Sequence, residues 1–580
     1  MSLFGSLYIG NTGLNVSQTA LNTTAHNLAN VDTKGFVRQQ VVLADRNYLK
    51  FGETYINSLQ KGMGVNFAAV KQVRDYFLDQ SYRQEIGRQA FYEAQYHTVG
   101  EIENFFGELE GVAFQNSINE FWISLQELAK EPDSIVTRET FIQTAVTFLE
   151  RANTISNQLY DYQVNLNVQI RNQVNQINKI GDSIYDLNKK IRLYESSGVE
   201  RANDLRDQRN LLLDELSKMV KVNYKEHVDG TVSVSVEDVP FVSDSMVYHM
   251  DTVKASETSE MLIPVWKAYG NEPVFYTKRL ASSANNSDIG SLKGMLIARG
   301  TRQADYTDIP SEDRNDYATE EEYLEAISKY NIEINSSVIM NVQAQFDKLV
   351  HGIVTTINDI LSPNREVEID AAGTKVKILD VPEGVNPDDV IAEGLFNRIS
   401  TLRYTEVNGL DIYENGVLKE TITGKVLIYN EEEPGDDKKH TRFTLGEIEI
   451  NPAILQDYSL ISLSNNDGTG EFAKEKIDQL ITAWKAPVHT LGPNSLTKYS
   501  FSEYYNAMIS EMANRGEQLN TISLNQASMV ESIDNQRMQI TGVSSDDELT
   551  NLIKYQHAYN ASARYINVIN DMLEHIITRL

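Results

Sequence analysis

Residues 1–35 read MSLFGSLYIGNTGLNVSQTALNTTAHNLANVDTKG, and the first 31 of them contain no Asp, Glu, Lys or Arg. A stripe at steps of four and three runs through this stretch. Its members are Leu3, Leu7, Gly10, Leu14, Ser17, Leu21, Thr24 and Leu28. This spacing is typical of a helix that lies along other helices. A helix of about 40 Å cannot cover its own stripe, so we expect a partner. A nearby core of the same chain and a second long helix are both open at this point.

The other end of the chain carries a matching stripe. Its members are Leu552, Gln556, Tyr559, Ala563, Ile566, Asn570, Leu573, Ile577 and Leu580. All prolines lie between Pro132 and Pro493, so both ends are free to form long helices. We therefore predict that the termini pair as a coiled coil. The predicted assembly seam is Leu3, Leu7, Leu14, Leu21, Leu28, Leu552, Tyr559, Ile566, Leu573, Ile577 and Leu580.

The middle of the chain alternates long helices with strands. An apolar spine from Phe141 to Tyr194 predicts a very long helix, although Asn and Gln are abundant within it. A second helix from Asn203 to Val220 completes a long hairpin. Residues 231–236 alternate at period two, which indicates a strand. Two dipeptides, Asn408-Gly409 and Asn415-Gly416, predict tight turns between strands.

These patterns predict an α+β multidomain fold. It combines paired terminal helices, a helical bundle with a long hairpin, and two β-rich inserted domains. The predicted domains are a terminal helical core (1–60 with 535–580), a long-helix bundle (61–225 with 330–361 and 490–534), a β-rich domain (226–329) and a second β-rich inserted domain (362–489).

Composition limits the function. The chain has 580 residues, a net charge of -30 and no cysteine. A strongly acidic balance argues against nucleic-acid binding, and the missing cysteine leaves no disulfide or thiolate metal site. No apolar run approaches the ~18 residues of a membrane span. The N-terminus lacks the basic start of a cleavable signal peptide, so we expect no membrane insertion.

The residues do not suggest an enzyme. The nine histidines are scattered, and neither a phosphate loop nor a nucleophile elbow is present. We therefore predict no catalytic, cofactor-binding or metal site. An adhesin or enzyme displayed by the β-rich middle is the alternative from another functional class.

Three segments carry a family resemblance. Residues 20–36 resemble the N-terminal signature of bacterial flagellar axial proteins of the rod, hook and hook-associated families, and residues 552–564 resemble their C-terminal signature. Residues 203–216 are similar to a segment of the hook-associated proteins that form the hook–filament junction. The residues that match the family motif are Asn27, Ala29, Asn30, Gly35, Gln556, Tyr559 and Ala563.

The resemblance implies a structural subunit of the flagellum at the junction between hook and filament. It implies export in unfolded form by the flagellar type III apparatus, an export chaperone at the C-terminal helices and an extracellular location without a cleaved signal peptide. The implied partners are further copies of the chain, the hook protein and a filament-side junction protein. Residues 33–38 look closer to hook or rod proteins, so a hook or distal rod protein is the alternative within this apparatus.

Overall fold

The two chain ends form one antiparallel helix pair. The computed structural model describes residues 3–46, 48–54, 57–107, 114–196, 201–277, 279–381, 394–433, 435–463 and 473–579. Helix α1 spans Leu3–Ala29 and α12 spans Ser545–Arg579. Gly10 lies against Ile566 and Gly13 against Ser562, so the chain runs in opposite directions in the two helices. The predicted pairing of the termini within an α+β multidomain fold is confirmed.

Four strands follow α1 as one long bent hairpin. The strands are β1 (Gln39–Asp45), β2 (Leu49–Thr54), β3 (Asn57–Lys61) and β4 (Val65–Gln72). The outer strands β1 and β4 pair with each other, and β2 pairs with β3 further out. The hairpin therefore returns the chain to the C-terminal end of α1, and the helical bundle begins there.

Long helices form the central bundle. They are α2 (Tyr76–Phe106), α3 (Phe114–Lys130), α4 (Ile135–Glu195), α5 (Asn203–Met219), α8 (Val338–Leu361), α10 (Lys474–Lys485) and α11 (Phe501–Thr541). At 61 residues, α4 is about 90 Å long. Its N-terminal half packs into an aromatic core in which Phe114 contacts Phe148 and Phe346 at ring distances of 5.4 and 5.0 Å. The C-terminal half of α4 packs against α5 and the first β-rich region.

The first β-rich region consists of two small antiparallel sheets. One contains β5 (Val222–Glu226), β6 (Val232–Val236) and β7 (Val239–Val242), and the other β8 (Met250–Lys254), β9 (Leu262–Trp266) and β10 (Glu272–Pro273). The region then continues in helices α6 (Ser291–Arg299) and α7 (Glu320–Tyr330). A short π-helical turn, Asn331–Asn335, leads back into α8.

The second β-rich region contains a closed four-stranded barrel in the order β11-β12-β15-β14. Its strands are β11 (Asn364–Glu368), β12 (Lys375–Leu379), β14 (Tyr404–Glu414) and β15 (Val417–Tyr429). Beside it, β13 (Phe396–Arg398) pairs with β16 (Ile448–Ile450), and a short helix, α9 (Pro452–Gln456), follows. Phe396 and Ile450 belong to the bundle core, as do Ile477 and Trp484 of α10. This packing ties the barrel-bearing region to the bundle.

One of the two predicted turns is wrong. Asn415 and Gly416, with φ of 54° and 79°, form the tight β14–β15 turn as predicted. Asn408 and Gly409 instead lie inside β14, where the register shifts and Gly409 has φ of 83°. A glycine in the left-handed region produces a β-bulge as readily as a turn, and the dipeptide alone does not distinguish them.

No helix among the described residues is both long enough and apolar enough to cross a membrane.

Candidate functional site

The contact between α1 and α12 is lined by small residues. A Cβ atom at Gly10 would lie 2.8 Å from Ile566 Cγ1, and one at Gly13 would lie 2.9 Å from Ser562 Oγ. Small or polar residues with little exposure continue this row along α1 at steps of four and three. They are Ser6, Gly10, Gly13, Ser17, Ala20, Thr24 and Asn27. Because glycine has no side chain, the two backbones approach closely at Gly10 and Gly13. Larger residues of α12, such as Ile566, therefore pack directly onto the backbone of α1.

The predicted seam leucines flank this contact. Leu3, Leu7, Leu14, Leu21 and Leu28 are all half-buried. On α12, Leu552, Tyr559, Ile566 and Leu573 are half-buried, Ile577 is 75% exposed, and Leu580 lies outside the described residues. Whether these residues form an assembly seam depends on neighbouring copies of the chain, so that role remains a prediction.

The helix pair buries little apolar surface by itself. Val16 and Ala20 are the buried apolar residues with side chains on α1, and Ile569 is the buried one on α12. Val568, Met572 and Ile576 form an exposed apolar stripe on the same helix. A buried aliphatic side chain contributes about 1.5–3 kcal/mol, so this pair is weakly held compared with the bundle.

A tight turn closes the exit from α1. Asn27 donates from Nδ2 to the Gln39 carbonyl (2.9 Å) and accepts the Gln39 N–H at Oδ1 (3.0 Å). Asn30 donates to the His26 carbonyl at 3.0 Å. Gly35 has φ of 82° and would place a Cβ 3.6 Å from Leu211 of α5. The motif residues Asn27, Asn30 and Gly35 are therefore the ones that shape this turn.

The other motif residues lie along the helix pair. Ala29 is exposed at the end of α1. On α12, Gln556 is exposed, whereas Tyr559 and Ala563 are half-buried.

The N-terminal end of helix α5 packs against this turn. Asp207 accepts the backbone N–H of Val37 at 3.2 Å and the Gln72 side-chain amide at 2.7 Å. Asn203 donates to the Val70 carbonyl at 3.1 Å, and Asp204 accepts from Gln39 at 3.2 Å. The first turns of α5 thus hold both outer strands of the hairpin.

Burial raises the pKa of Asp207 to about 7. The Val37 N–H, Arg74 and the Gln72 amide all favour the charged form and oppose the rise, but loss of hydration dominates. The protonation state of this carboxyl is therefore linked to the stability of the joint.

Ion pairs tie α2, α5 and α11 together beneath the turn, and another joins α12 to the segment before β1. Arg537 of α11 bridges Asp79 (2.7 Å) and Asp214 (2.6 Å), and Arg83 also binds Asp214 (2.7 Å). Arg38 donates to the buried Glu548 of α12 at 2.8 Å. Removing one partner of a buried ion pair is costly, because the other charge stays behind.

The same segment of α5 also holds the first β-rich region. Arg206 pairs with Glu195 at the end of α4 (2.7 Å) and with Glu226 of β5. The buried Arg209 donates to the Asn188 side chain (3.0 Å) and to the Gly230 carbonyl (2.7 Å). We name residues 203–214, with the contacts above, the α5 joint. Sequence reasoning singled out residues 203–216 only by resemblance; the available signal was their density of paired charges and amides.

Asparagines on α4 bind strand backbone. Asn178 donates to the Met250 carbonyl (2.8 Å) and accepts the Met250 N–H (2.9 Å). Asn188 does the same with Val232 (2.8 and 3.1 Å). Asn167 bridges the Glu260 carbonyl (3.1 Å) and the Leu262 N–H (2.8 Å). These three asparagines therefore hold the β-rich region along the helix.

No group of three or more His, Asp or Glu side chains suited to hold a metal ion occurs among the described residues.

Comparisons with known proteins cover nearly the whole chain. Residues 99–374 match the family model described as flagellar hook-associated protein FlgK helical domain. Flagellar hook-associated protein 1 of Bacillus subtilis is 24% identical over 99% of this chain and 98% of its own length. The protein of the same name from Escherichia coli is 23% identical over 98% of both chains.

The chain is similar over nearly its full length to proteins named flagellar hook-associated protein 1. The ends match two further family models, flagella basal body rod protein over residues 7–36 and flagellar basal body rod FlgEFG protein C-terminal over residues 534–579. The solved structure of the flagellar hook junction protein FlgK from Burkholderia pseudomallei shares the fold, with a TM-score of 0.51 and 13% identity, covering 80% of this chain and all of that one.

The regions that match the three family models meet at the α5 joint. The match at residues 7–36 covers α1 and its exit turn, the match at 534–579 covers α12, and the helical-domain match includes α4 and α5. The joint is therefore where the termini common to rod proteins connect to the helical domain.

Proposed function

We propose that the chain is a structural subunit of the bacterial flagellum that forms the junction between hook and filament. The observation that carries this proposal is the full-length correspondence with proteins named flagellar hook-associated protein 1. A paired set of terminal helices, braced by the α5 joint, suits a subunit that must be held at its base and present other domains outward.

Assembly proceeds through the terminal helices. The half-buried leucines of α1 and the exposed stripe on α12 lose the rest of their exposed surface when neighbouring copies pack alongside. Contacts between different surfaces of successive copies do not close on themselves and generate a helical array. In this proposal, the predicted assembly seam is the surface that neighbouring copies cover, and the chain is divided into the four predicted domains.

The chain reaches its site by export in unfolded form through the flagellar type III apparatus. It lacks cysteine, which suits a chain that crosses between redox compartments. A chaperone covers the C-terminal helices before export, where exposed apolar residues such as Met572 and Ile577 would otherwise promote association. The exported chain is extracellular.

The finished subunit contacts the hook protein on one side and a filament-side junction protein on the other. Its role is mechanical, and no catalysis is part of it. A hook or distal rod protein is the alternative within the same apparatus, since both terminal matches are to rod-type models.

A strain that lacks the chain tests this function. We expect electron microscopy to show hooks without filaments and immunoblots to show filament protein shed into the medium, with both defects repaired by the intact gene. Absence of hooks would favour the hook or rod alternative. Normal filaments would exclude both flagellar roles and leave display by the β-rich regions.

A further inference from the structure

A large cavity lies between α2, α6, β9 and the π-helical turn that precedes α8. Its volume is about 810 Å³, within the range of roughly 300–1,000 Å³ that small-molecule sites occupy. No single motif marks it, because its wall comes from segments as far apart as residues 91 and 337. Apolar side chains dominate the wall. They include Phe91, Ile263, Pro264, Phe275, Leu296 and Ile297.

Two large apolar side chains at the rim of this cavity remain exposed. Tyr276 and Leu280 line it and are 76% and 60% exposed, so a ligand that covers them gains from their burial. Another part of the wall consists of Ile332 and Glu333 in the π-helical turn. This rare helical geometry occurs frequently at functional sites.

Charge in the wall favours an anion. The charged residues that line the cavity are Arg279, Arg299, Arg302 and Glu333. Arg302 is neutralised by Asp308, which accepts from it at 2.8 Å, and two arginines then face one carboxylate. This balance is opposite to that of the whole chain, which has 82 acidic and 52 basic residues.

Arg299 is fully buried without a counter-charge. It donates to three neutral oxygens, which are the Gly300 carbonyl (2.9 Å), the Asn167 side-chain amide (2.7 Å) and the Leu262 carbonyl (2.8 Å). Burial alone lowers its pKa to about 10, because loss of hydration disfavours the charged form. At the rim, Arg279 is exposed and forms no ion pair with another described residue. Cations of this kind are usually paired when they leave water.

We propose that this cavity binds a small molecule with an apolar body and one carboxylate. The carboxylate lies beside Arg279 and the apolar body against Phe91, Phe275 and Leu296. One negative charge balances the wall, and a guanidinium–carboxylate contact fixes the orientation of the ligand. Arg299 adds to the positive potential, since charges act over longer distances in an apolar surrounding. Binding does not depend on the flagellar role of the chain.

Equilibrium dialysis of the purified full-length chain measures this binding. The probes are octanoate, decanoate and dodecanoate, each below its micelle concentration. We expect one molecule per chain and an affinity that rises about fifteenfold for every two methylenes added, because burial of each CH₂ contributes about a factor of four. Dodecylammonium, of equal length and opposite charge, should bind at least about tenfold more weakly than dodecanoate. Absence of saturable binding, or equal binding of the ammonium, would overturn the proposal.

Substitution of Arg279 tests the position of the carboxylate. Because Arg279 is exposed, Arg279→Glu should fold normally. It should lower the affinity for dodecanoate about tenfold or more and leave the affinity for dodecan-1-ol unchanged. Arg171→Glu is the matched control, since Arg171 is exposed on α4 outside the cavity, and it should bind both molecules as the unsubstituted chain does. Equal losses in the two variants would contradict a carboxylate at Arg279.

Amide exchange locates the bound molecule. Dodecanoate should slow exchange several-fold in residues 296–302 and leave α12 unchanged, although α12 carries an exposed apolar stripe. Protection confined to α12 would mean adsorption to that stripe and would refute binding in the cavity. Protection of 296–302 that is present without ligand and lost on dilution would mean that a second copy fills the cavity, which also refutes it.

Discussion

Asparagine binds extended backbone in this molecule much as a neighbouring strand would. Each of five asparagine side chains donates to one backbone carbonyl and accepts one backbone N–H on a segment distant in sequence or across a turn. They are Asn27, Asn167, Asn178, Asn188 and Asn358. An unpaired backbone group in a buried setting is costly. These side chains therefore fix the positions at which extended segments pack against helices.

Substitution of Asn178 tests this role. Asn178→Asp removes the donor to the Met250 carbonyl and places a charge beside it, so local stability should fall by about 1–3 kcal/mol. Amide exchange at Met250 should then become roughly ten- to a hundredfold faster. Asn175→Asp, at an exposed position on the same helix, is the control. Equal exchange in the two variants would show that the amide pairing does not hold β8.

Asp207 makes the α5 joint sensitive to pH. Its pKa in the folded chain is about 7, raised by burial from an ordinary value of 3.8. The folded state therefore binds a proton that the unfolded state has released, and the stabilisation is fully present below about pH 4 and is lost as pH rises through 7. Between pH 5 and 8 the loss should be about 1–3 kcal/mol.

Asp207→Asn should remove that part of the pH dependence. Denaturation of the intact chain at pH 5 and pH 8 measures it, as the difference between the variant and the unsubstituted protein. Glu215→Gln, which changes an exposed carboxyl further along α5, should behave like the unsubstituted chain. An unchanged pH profile in Asp207→Asn would assign the dependence to other groups.

At the scale of elements, the terminal helices show how far sequence reasoning reaches. Leucine spacing predicted α1, α12 and their pairing, since periodicity is a local property. It placed Gly10 in the stripe, but it did not reveal that Gly13 would also lie against α12. Large apolar residues dominate a periodic pattern, whereas close backbone approach depends on the shape of the partner.

Substitution of Gly10 by alanine distinguishes the cost of overpacking from the gain in helix propensity. In Gly10→Ala the new Cβ would meet Ile566 at 2.8 Å and Tyr565 at 3.1 Å, and overpacking should cost about 1–3 kcal/mol. Gly100→Ala on α2 is the matched control, because the new Cβ would meet no heavy atom within 4 Å beyond the local backbone of its own helix, and it should stabilise its helix by about 0.5–1 kcal/mol.

Amide exchange across α1 and α2 measures both effects. We expect faster exchange in α1 for Gly10→Ala, recovery when Ile566→Ala is added, and slower exchange in α2 for Gly100→Ala. Stabilisation of α1 by Gly10→Ala would contradict the close contact.

Charged residues in the stripes test the terminal helices as an assembly element. Leu14→Asp or Ile566→Asp should abolish retention in flagella, while the bundle and both β-rich regions remain folded, because the helix pair contributes little to their cores. Circular dichroism and limited proteolysis check folding, and shed chain in the medium measures retention. Retention of either variant would refute the assembly role of the stripes.

The whole molecule is organised around connections that sequence reasoning could not locate. The spine of α4 and the helix at 203–219 were predicted from periodicity. The partners of Asp207 and Asp214 were not, because Val37, Arg83 and Arg537 lie 170, 131 and 323 residues away along the chain. A resemblance marked the α5 joint as distinctive, and only the folded chain shows that it joins the termini, the bundle and a β-rich region.

The bundle accepts more of the chain than the predicted domain limits imply. Ile477 and Trp484 of α10 lie in its core, although that segment was grouped with the second β-rich domain. The sequence of a short apolar helix in a region rich in turns does not indicate whether it packs into the bundle core or into the core of the β-rich region. The barrel, by contrast, has a small core of its own around Val367, Ile378, Ile412 and Val426.

Gold labelling of assembled flagella locates the chain directly. Leu496→Cys introduces a single exposed thiol into a chain that otherwise has none, and a maleimide–gold reagent marks it in electron micrographs. A structural subunit of the junction should place a narrow band of label at the boundary between hook and filament and nowhere else. Label along the filament, along the hook or on the rod would contradict this placement.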